Sequence, residues 1–347
     1  MAHSVLGWPW LWLPVSLVLT FLLTWILRIY ALKRSLVDVP NSRSSHTAPT
    51  PRGGGFSVVI TFLAALFYFC WYDVIPVRDA FALAGAGGIV ASLGFIDDHG
   101  HVPAGWRLLG HFVAAGWGVY WLGGIPPISL MGHELTLGLV GGGLACVYVV
   151  WLLNLYNFMD GINGIAGIEA VTVCFGGAVL MLVSGNGMKL VLPILVLGAS
   201  SLGFLLWNFP KAKIFMGDAC SGFLGLMFGL ITVLFLQEDI NLAWGWVVLL
   251  AVFLTDSTVT LVRRVLRGEK VYQAHRSHAY QHLAKRFGSH APVSLGVGCV
   301  NLCWLLPLAA AVADDKLSPS IALFCAYIPM IILVLIFNAG VGEQEPI

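Results

Sequence analysis

The stretch Asn154-Leu-Tyr-Asn-Phe-Met-Asp-Gly-Ile-Asn-Gly-Ile-Ala-Gly167 separates two apolar runs near the middle of the chain. Each run approaches the ~20 apolar residues that a membrane span needs. Asn157, Asp160 and Asn163 therefore lie where one membrane helix ends and the next begins. A carboxylate at membrane depth is costly and usually functional. The cluster thus favours a ligand site at the membrane surface over a simple polar hairpin.

The composition of the chain is that of a membrane protein. Of its 347 residues, 59% are hydrophobic and 10% are charged, and the mean hydropathy is +0.88. Soluble domains carry ~25% charged residues, so this chain has too little polar surface to cover a soluble fold. The seven cysteines lie in or beside apolar runs without a CxxC pair, which predicts small buried side chains rather than disulfides or a metal site.

The hydropathy pattern predicts an all-α integral membrane protein in which residues 1–347 form a single polytopic domain. The first apolar stretch is followed, not preceded, by basic residues, which indicates an uncleaved span with its N-terminus outside. Eleven spans are predicted, at residues 9–30, 55–73, 80–96, 107–122, 139–157, 164–184, 189–207, 220–237, 242–262, 293–312 and 319–337.

The basic residues predict the orientation of these spans. With the N-terminus outside, 15 of the 18 Lys and Arg residues fall at or in connections that face the cytoplasm. Such an excess is what the positive-inside rule requires. We therefore expect a multi-pass membrane protein with its N-terminus outside and its C-terminus in the cytoplasm.

Four polar clusters follow four different spans, and all of them fall on the predicted cytoplasmic side. They are Asp97 and Asp98, then Asn157, Asp160 and Asn163, then Asp218, and finally His275, His278 and His282. One such cluster would be ordinary loop polarity. Four clusters from separate connections predict one convergent site at the inner membrane surface.

The residue types indicate phosphate chemistry with a metal ion. Four carboxylates at one surface need cations, because like charges otherwise keep some of them protonated. Mg²⁺ suits oxygen ligands and is usually held by one or two carboxylates with waters and phosphates, with Mn²⁺ as a second choice. Zinc is less suited, since no ligand spacing matches a standard zinc site.

Basic and buried polar residues extend the candidate site. Arg52 precedes a glycine run that could present N–H groups to phosphate. Arg276 lies beside His275 and is a candidate for contacting an anionic ligand. Asp256 is inside the ninth span, four residues before Thr260, and an ionisable residue there is a functional hypothesis by default. These groups at lipid depth favour phosphoryl transfer between a water-soluble phosphate compound and a lipid.

The motif order resembles the polyprenyl-phosphate N-acetylhexosamine-1-phosphate transferases, of the glycosyltransferase family 4 type. The motifs are Phe95-Ile-Asp-Asp98, Asn157-Phe-Met-Asp-Gly-Ile-Asn-Gly164, Phe215-Met-Gly-Asp218 and Asp256 before a basic helix end. A sister branch contains the phospho-MurNAc-pentapeptide translocases. The resemblance covers almost the whole chain. It implies that a polyprenyl phosphate attacks the β-phosphate of a UDP-HexNAc, which releases UMP and forms a polyprenyl-diphosphate-linked sugar.

The resemblance implies a protein of the bacterial inner membrane with its N-terminus in the periplasm. Together with the chemistry of the residues described above, it also predicts roles for individual residues. The expected catalytic residues are Asp97, Asp98 and Asp160. The expected metal ligands are Asp218, Asn157 and Asp160. The expected substrate-binding residues are Asn157, Asn163, Arg52, His275, Arg276, His278, His282 and Asp256. The implied partners are UDP-HexNAc, undecaprenyl phosphate and the lipid bilayer, without nucleic acid, and the sequence leaves a homodimer open.

Three positions depart from the family pattern. Asn163 stands where the family has an acid, and Tyr280 and Gln281 stand where further histidines are expected. The shortened histidine motif argues against the peptidoglycan branch and favours the initiators of O-antigen synthesis. The donor sugar, whether GlcNAc, GalNAc or a 6-deoxy form such as FucNAc or QuiNAc, is left open. The alternative function is a transporter or flippase for a nucleotide sugar or an anionic lipid, with the acids as a coupling-ion site.

Overall fold

The computed structural model describes residues 8–40, 48–100, 102–130, 133–185, 188–269 and 275–342. Over these residues the chain is almost entirely helical. The α-helices are α1 (Trp12–Lys33), α2 (Phe56–Trp71), α3 (Val77–His99), α4 (Ala104–Leu122), α5 (Gly138–Met159), α6 (Ile165–Ser184), α7 (Val191–Asn208), α8 (Asp218–Glu238), α9 (Ile240–Leu249), α10 (Ala251–Leu266), α11 (Ala279–Phe287), α12 (Ala291–Val300), α13 (Leu306–Ala313) and α14 (Pro319–Ile336).

The prediction of an all-α membrane protein is confirmed, but the count of eleven spans is not. Each predicted span coincides with a helical segment. Within the described residues, eight helical segments are long and apolar enough to cross a membrane, or nine if α9 and α10 form one span. Those two helices bend by 67° at their junction, where the sequence predicted one straight span. Helix α2 is apolar but has only 16 residues.

Helix α8 lies at the centre of the bundle, because its side chains are buried all around and it packs against α3 and α5. Glycines permit this close packing. A Cβ atom at Gly225 would lie 2.7 Å from the Cα of Leu153 on α5, and one at Gly94 would lie 2.5 Å from the Cα of Ala219 on α8. Small residues at such crossings let membrane helices approach closely. The crossings bring the end of α3 to the beginning of α8.

Two short hairpins interrupt the helical pattern. Strand β1 (Val37–Asp38) pairs antiparallel with β2 (Thr50–Pro51), and β3 (Ile128–Leu130) pairs with β4 (His133–Leu135). The first hairpin leads into a chain segment that runs beside the connection before α8. There the Phe215 N–H donates to the Pro51 carbonyl at 2.8 Å, and the Gly54 N–H donates to the Phe215 carbonyl at 2.9 Å. This pairing fixes the segment that carries Arg52.

A buried polar cluster ties α6 to the helices near the C-terminus. Glu169 and Asn301 are almost fully buried, and the Asn301 side-chain amide donates to Glu169 Oε2 at 2.7 Å and to Thr172 Oγ1 at 2.8 Å. Asn301 begins a π-helical turn at residues 301–305, between α12 and α13. An acid buried in a membrane helix needs such a partner from a neighbouring helix.

Candidate active site

The site begins where α3 meets α8. Helix α3 extends to His99, so Asp97 and Asp98 lie in its last turn and not in a loop after residue 96. The carboxylate of Asp98 accepts hydrogen bonds from the Asp218 N–H at 3.3 Å and from the Ala219 N–H at 3.4 Å. Asp98 therefore caps the N-terminus of α8, where the helix dipole favours negative charge.

Arg107 joins two of the predicted acids. Its Nη1 atom lies 2.6 Å from Asp97 Oδ2 and 3.2 Å from Asp218 Oδ2. The Asp97 side chain is 9% exposed, whereas that of Asp218 is 41% exposed. Asp218 is therefore the carboxylate that remains open to a ligand. The Val102 N–H adds a hydrogen bond to Asp97 at 2.8 Å, which fixes that side chain further.

The backbone around Asp98 leaves no room for extra atoms. Gly217 has a φ of +83°, and a Cβ atom there would lie 2.7 Å from Asp98 Oδ2. Arg52 donates from Nη2 to the main-chain carbonyl of Asp98. Arg52 is thus in the site, although its described bond is to the protein backbone. The glycine run after it supports packing, since a Cβ at Gly55 would collide with Cys220 at 2.4 Å.

Helix α5 contributes Asn157 and Asp160 to the same region. The Asn157 side-chain oxygen accepts a hydrogen bond from Ser221 of α8. Helix α5 ends at Met159, so Asp160 lies just beyond its last turn. Burial, followed by the nearby carboxylates of Asp218 and Asp98, raises the pKa of Asp160 well above its ordinary value of 3.8. Both effects favour the protonated form of Asp160.

The carboxylates suit a hard cation with few protein ligands. Among the described residues, no group of three or more His, Cys, Asp or Glu side chains could by itself enclose a metal ion. Mg²⁺ needs no such cage, because it is commonly held by one or two carboxylates and keeps waters and phosphates as further ligands. Burial and the carboxylates of Asp218 and Asp98 raise the pKa of Asp160, and a cation at this position would oppose that effect. The donor set therefore fits Mg²⁺.

Asp256 holds the histidine segment in place. Its Oδ1 atom accepts from the Ala279 N–H at 3.0 Å, and its Oδ2 atom accepts from the Tyr280 N–H at 2.9 Å. The Thr260 hydroxyl donates to Oδ1 at 3.2 Å, and His278 Nδ1 lies 3.4 Å from the same atom. With three hydrogen-bond donors around a side chain that is 5% exposed, Asp256 caps the start of α11 and lies beside His278.

The histidine segment, residues 275–278, continues into α11 beside the acidic cluster. The ring of His278 is buried and stacks on that of His275, with centroids 4.9 Å apart. Arg276 Nε and His282 Nε2 are enclosed atoms with no hydrogen-bond partner among the described residues. These cationic and ring N–H groups could contact phosphate oxygens. The position of His275 near Phe158, at a centroid distance of 6.4 Å, links the segment to the end of α5.

The residues that depart from the family pattern make contacts within the protein. Tyr280 donates from Oη to the Phe158 carbonyl at 3.0 Å, and the Gln281 side chain accepts from the His278 N–H at 3.2 Å. Burial, with Asp256 and Asp160 nearby, raises the pKa of Tyr280 well above its usual value, so the hydroxyl remains a donor. Both substitutes therefore stabilise the histidine segment.

Asn163 lies on the other side of the glycine turn. Its N–H donates to His290 Nδ1 at 3.2 Å, and its side-chain amide donates to the Pro210 carbonyl at 3.3 Å. The Ser294 hydroxyl donates to the Asn163 carbonyl at 2.8 Å. These contacts anchor the turn to α12. The structure thus gives Asn163 a position at the edge of the site, with its polar groups bonded to protein.

A cavity of about 170 Å³ opens between α3, α4, α5 and α8. It is lined by Asp97, Asp218 and Asn157, which the sequence predicts as site residues. Arg107 and His111 also line it, and neither was predicted as a site residue. Arg107 was counted only as a basic residue of a cytoplasmic connection. Its role could be suspected from its position, since α4 begins soon after the two aspartates, but its pairing with Asp218 spans 111 residues.

Comparisons with known proteins agree with this geometry. The family model "Glycosyl transferase family 4" matches residues 80–236, the part that carries Asp97, Asp98, Asn157, Asp160 and Asp218. A probable undecaprenyl-phosphate N-acetylglucosaminyl 1-phosphate transferase of Bacillus subtilis is 27% identical, over 93% of this chain and 89% of the relative.

Two further relatives extend the likeness. A decaprenyl-phosphate N-acetylglucosaminephosphotransferase of Mycobacterium leprae is 28% identical, over 80% of this chain and 77% of the relative. A phospho-N-acetylmuramoyl-pentapeptide-transferase of Streptococcus pyogenes is 27% identical, over 71% of this chain and 77% of the relative. The family model and these long alignments agree, and they confirm the resemblance inferred from the sequence. Residues 80–236 match glycosyl transferase family 4, and the long alignments support membership of the chain in that family.

Proposed function

We propose that the protein transfers an N-acetylhexosamine 1-phosphate from UDP-HexNAc to a polyprenyl phosphate. The single observation that carries this proposal is the gathering of Asp97, Asp98, Asp160 and Asp218 at one end of apolar helices. Carboxylates at a membrane surface suit a reaction between a soluble phosphate compound and a lipid phosphate. The names of the aligned relatives support the same reaction type.

The reaction exchanges one phosphoanhydride oxygen for another. An oxygen of the lipid phosphate forms a bond to the phosphorus next to the sugar. The bond from that phosphorus to the oxygen shared with the uridine-bearing phosphate breaks, and UMP leaves with that oxygen. The lipid phosphate is largely a dianion near neutral pH, since its second pKa is ~6. Positioning and charge neutralisation therefore contribute most of the catalysis.

Mg²⁺ is the cofactor that we propose, with Asp218, Asn157 and Asp160 as its protein contacts. Asp218 is the most suitable because its side chain is 41% exposed in the site. When bound, Mg²⁺ would neutralise charge on the diphosphate and on the leaving group. Asp98 would hold the beginning of α8 in place, and Asp97 would orient Arg107 toward the incoming lipid phosphate.

The histidine segment would bind the nucleotide diphosphate. Arg276 and His282 offer nitrogen atoms that lack partners among the described residues, and His278 is fixed between Asp256 and His275. Charge-assisted hydrogen bonds to phosphate oxygens are stronger than neutral ones. Arg52 would support the end of α3 through its hydrogen bond to the Asp98 carbonyl. In this arrangement donor and acceptor meet at Asp218 from different sides.

We further propose that the enzyme lies in the bacterial inner membrane, with the site facing the cytoplasm, where UDP-sugars are made. The excess of basic residues in the predicted cytoplasmic connections supports this orientation. Two of the three named relatives have N-acetylglucosamine in their names, so UDP-GlcNAc is the first donor to test. The shortened histidine motif supports a role in starting an O-antigen or a similar envelope polysaccharide.

The decisive experiment measures UMP release by the purified protein in lipid nanodiscs. The reaction contains undecaprenyl phosphate, a panel of UDP-HexNAc donors, and either Mg²⁺ or a chelator. We expect release that needs both lipid and metal, and its loss in Asp218→Asn even at high Mg²⁺. Asp314→Asn is the matched control, because Asp314 pairs with Lys316 away from the site. An intact nucleotide sugar in every reaction would refute transfer and favour a carrier.

A further inference from the structure

Helix α4 carries a histidine that none of the roles above uses. His111 follows Arg107 by four residues, so the two side chains project from the same face of the helix. Both side chains line the cavity of about 170 Å³. His111 is therefore one helical turn beyond the arginine that joins Asp97 to Asp218.

The ring of His111 has an unmet hydrogen-bonding requirement. Its Nδ1 atom is enclosed, and nothing in the described part of the chain bonds to it. Buried polar groups nearly always have a partner in the protein, in water or in a ligand. The His111 side chain also lines a cavity with room for several atoms, so a molecule that enters this cavity is a candidate partner for the ring.

The walls of the cavity have two kinds of surface. Asp97 and Asp218 line one part, whereas Leu93, Leu108 and Leu153 line another. Leu93 and Leu153 belong to helices that are candidate membrane spans. A ligand that satisfies both surfaces has an oxygen-rich head and an apolar chain. A nucleotide sugar has no such chain, and residues 275–278 do not line this cavity.

We propose that this cavity binds the phosphate end of the acceptor, a prenyl phosphate monoester, and that His111 is a specificity residue for it. His111 donates its Nδ1–H to an oxygen of the phosphate that does not react. Arg107 provides the cationic contact, and the first isoprene unit lies against Leu93 and Leu153. This inference rests on the proposed function, because that function supplies the lipid phosphate as a substrate.

The test separates the acceptor from the donor. UMP release is measured with undecaprenyl phosphate varied at saturating donor, and then with donor varied at saturating lipid. The variants are His111→Ala, His111→Asn and His111→Gln. The Asn side-chain amide reaches the place of Nδ1, whereas that of Gln reaches the place of Nε2. Val113→Ala is the matched control, because Val113 is on the same helix and is 54% exposed.

We expect His111→Ala to raise the KM for undecaprenyl phosphate about tenfold, the loss typical of one charge-assisted hydrogen bond. The KM for the donor should change less than twofold. His111→Asn should restore most of the affinity. His111→Gln should behave like His111→Ala, and the control Val113→Ala should behave like the wild type. If His111→Ala does not fold, the contrast between Asn and Gln decides the question.

A second measurement does not depend on turnover. Calorimetric binding of farnesyl phosphate, without metal or donor, should weaken about tenfold in His111→Ala and recover in His111→Asn. Equal binding by the wild type and both variants, or an effect on the donor KM alone, would overturn the assignment of His111. Absence of UMP release by the wild type would refute the proposed function, and the farnesyl phosphate measurement would still judge His111.

Discussion

Asp256 provides the most direct test of how the histidine segment is held. The sequence analysis treated it as a substrate-binding residue, whereas the structure surrounds its carboxylate with donors from the protein. Two of them, the N–H groups of Ala279 and Tyr280, begin helix α11. Asp256→Ala leaves both N–H groups without an acceptor. We therefore expect this substitution to loosen the start of α11 and to displace His278.

The size of the effect follows from these bonds. A hydrogen bond to a charged group contributes about 1.5–3 kcal/mol, so the loss of two amounts to about 3–6 kcal/mol. At 1.36 kcal/mol for each factor of ten, the lower figure predicts a loss of roughly 100-fold in kcat/KM for the UDP-sugar. Asp256→Asn keeps one acceptor oxygen and should lose roughly tenfold. Thr260→Val is the control, because it removes a donor to Asp256 without touching α11.

The assay combines kinetics with amide hydrogen exchange in nanodiscs. Asp256→Ala should increase exchange in residues 275–287 and leave α8 protected. Thr260→Val should leave exchange in α11 unchanged and should lower kcat/KM far less than Asp256→Ala, because the two N–H groups that begin α11 keep their acceptor. If Asp256→Ala abolishes activity while exchange stays unchanged, Asp256 acts on the substrate directly. Full activity of Asp256→Ala would refute both roles of this carboxylate, holding the start of α11 and acting on the substrate.

Two further substitutions test packing that the structure makes explicit. Gly217→Ala should lower kcat at least tenfold, because the new Cβ would lie 2.7 Å from Asp98 Oδ2. Gly268→Ala is the control, because Gly268 has a similar φ of +74° but open space around it. Equal activities of the two variants would contradict this reasoning. Glu169→Gln should leave the melting temperature nearly unchanged, since an amide can both accept from and donate to Asn301. Glu169→Ala should lower the free energy of unfolding by ~2 kcal/mol. Equal melting temperatures of the two variants would show that the Glu169–Asn301 pair contributes nothing to stability.

The sequence predicted the helices well because hydropathy is a local property. All the predicted spans overlap helical segments, and the acids fall at helix ends. The bend between α9 and α10 was missed. No glycine or proline lies between Leu249 and Ala251, so the usual signals of a break are absent. The bend is therefore imposed by packing with neighbouring helices. A local stretch of sequence does not contain information about that packing.

The sequence predicted which residues belong to the candidate site, but not which groups each of them would bond. The sequence placed Asp256 inside the ninth predicted span and Asp218 just after the seventh, and both were predicted to contact a ligand. The structure separates them, because Asp256 is surrounded by donors from α10 and α11, whereas Asp218 remains 41% exposed. The number of donors around a carboxylate depends on contacts between distant parts of the chain, so hydropathy and spacing could not supply it.

Arg107 shows what such long-range contacts add to the chemistry. In the sequence it contributed one positive charge to an argument about orientation. In the structure it lies between Asp97 and Asp218, so it opposes the repulsion that two carboxylates alone would experience. A cation bound at Asp218 would compete with Arg107 and release its guanidinium toward the cavity. In the proposed reaction, metal binding and acceptor binding would then be coupled through one side chain, because Asp97, Asp218, Arg107 and His111 line a single cavity.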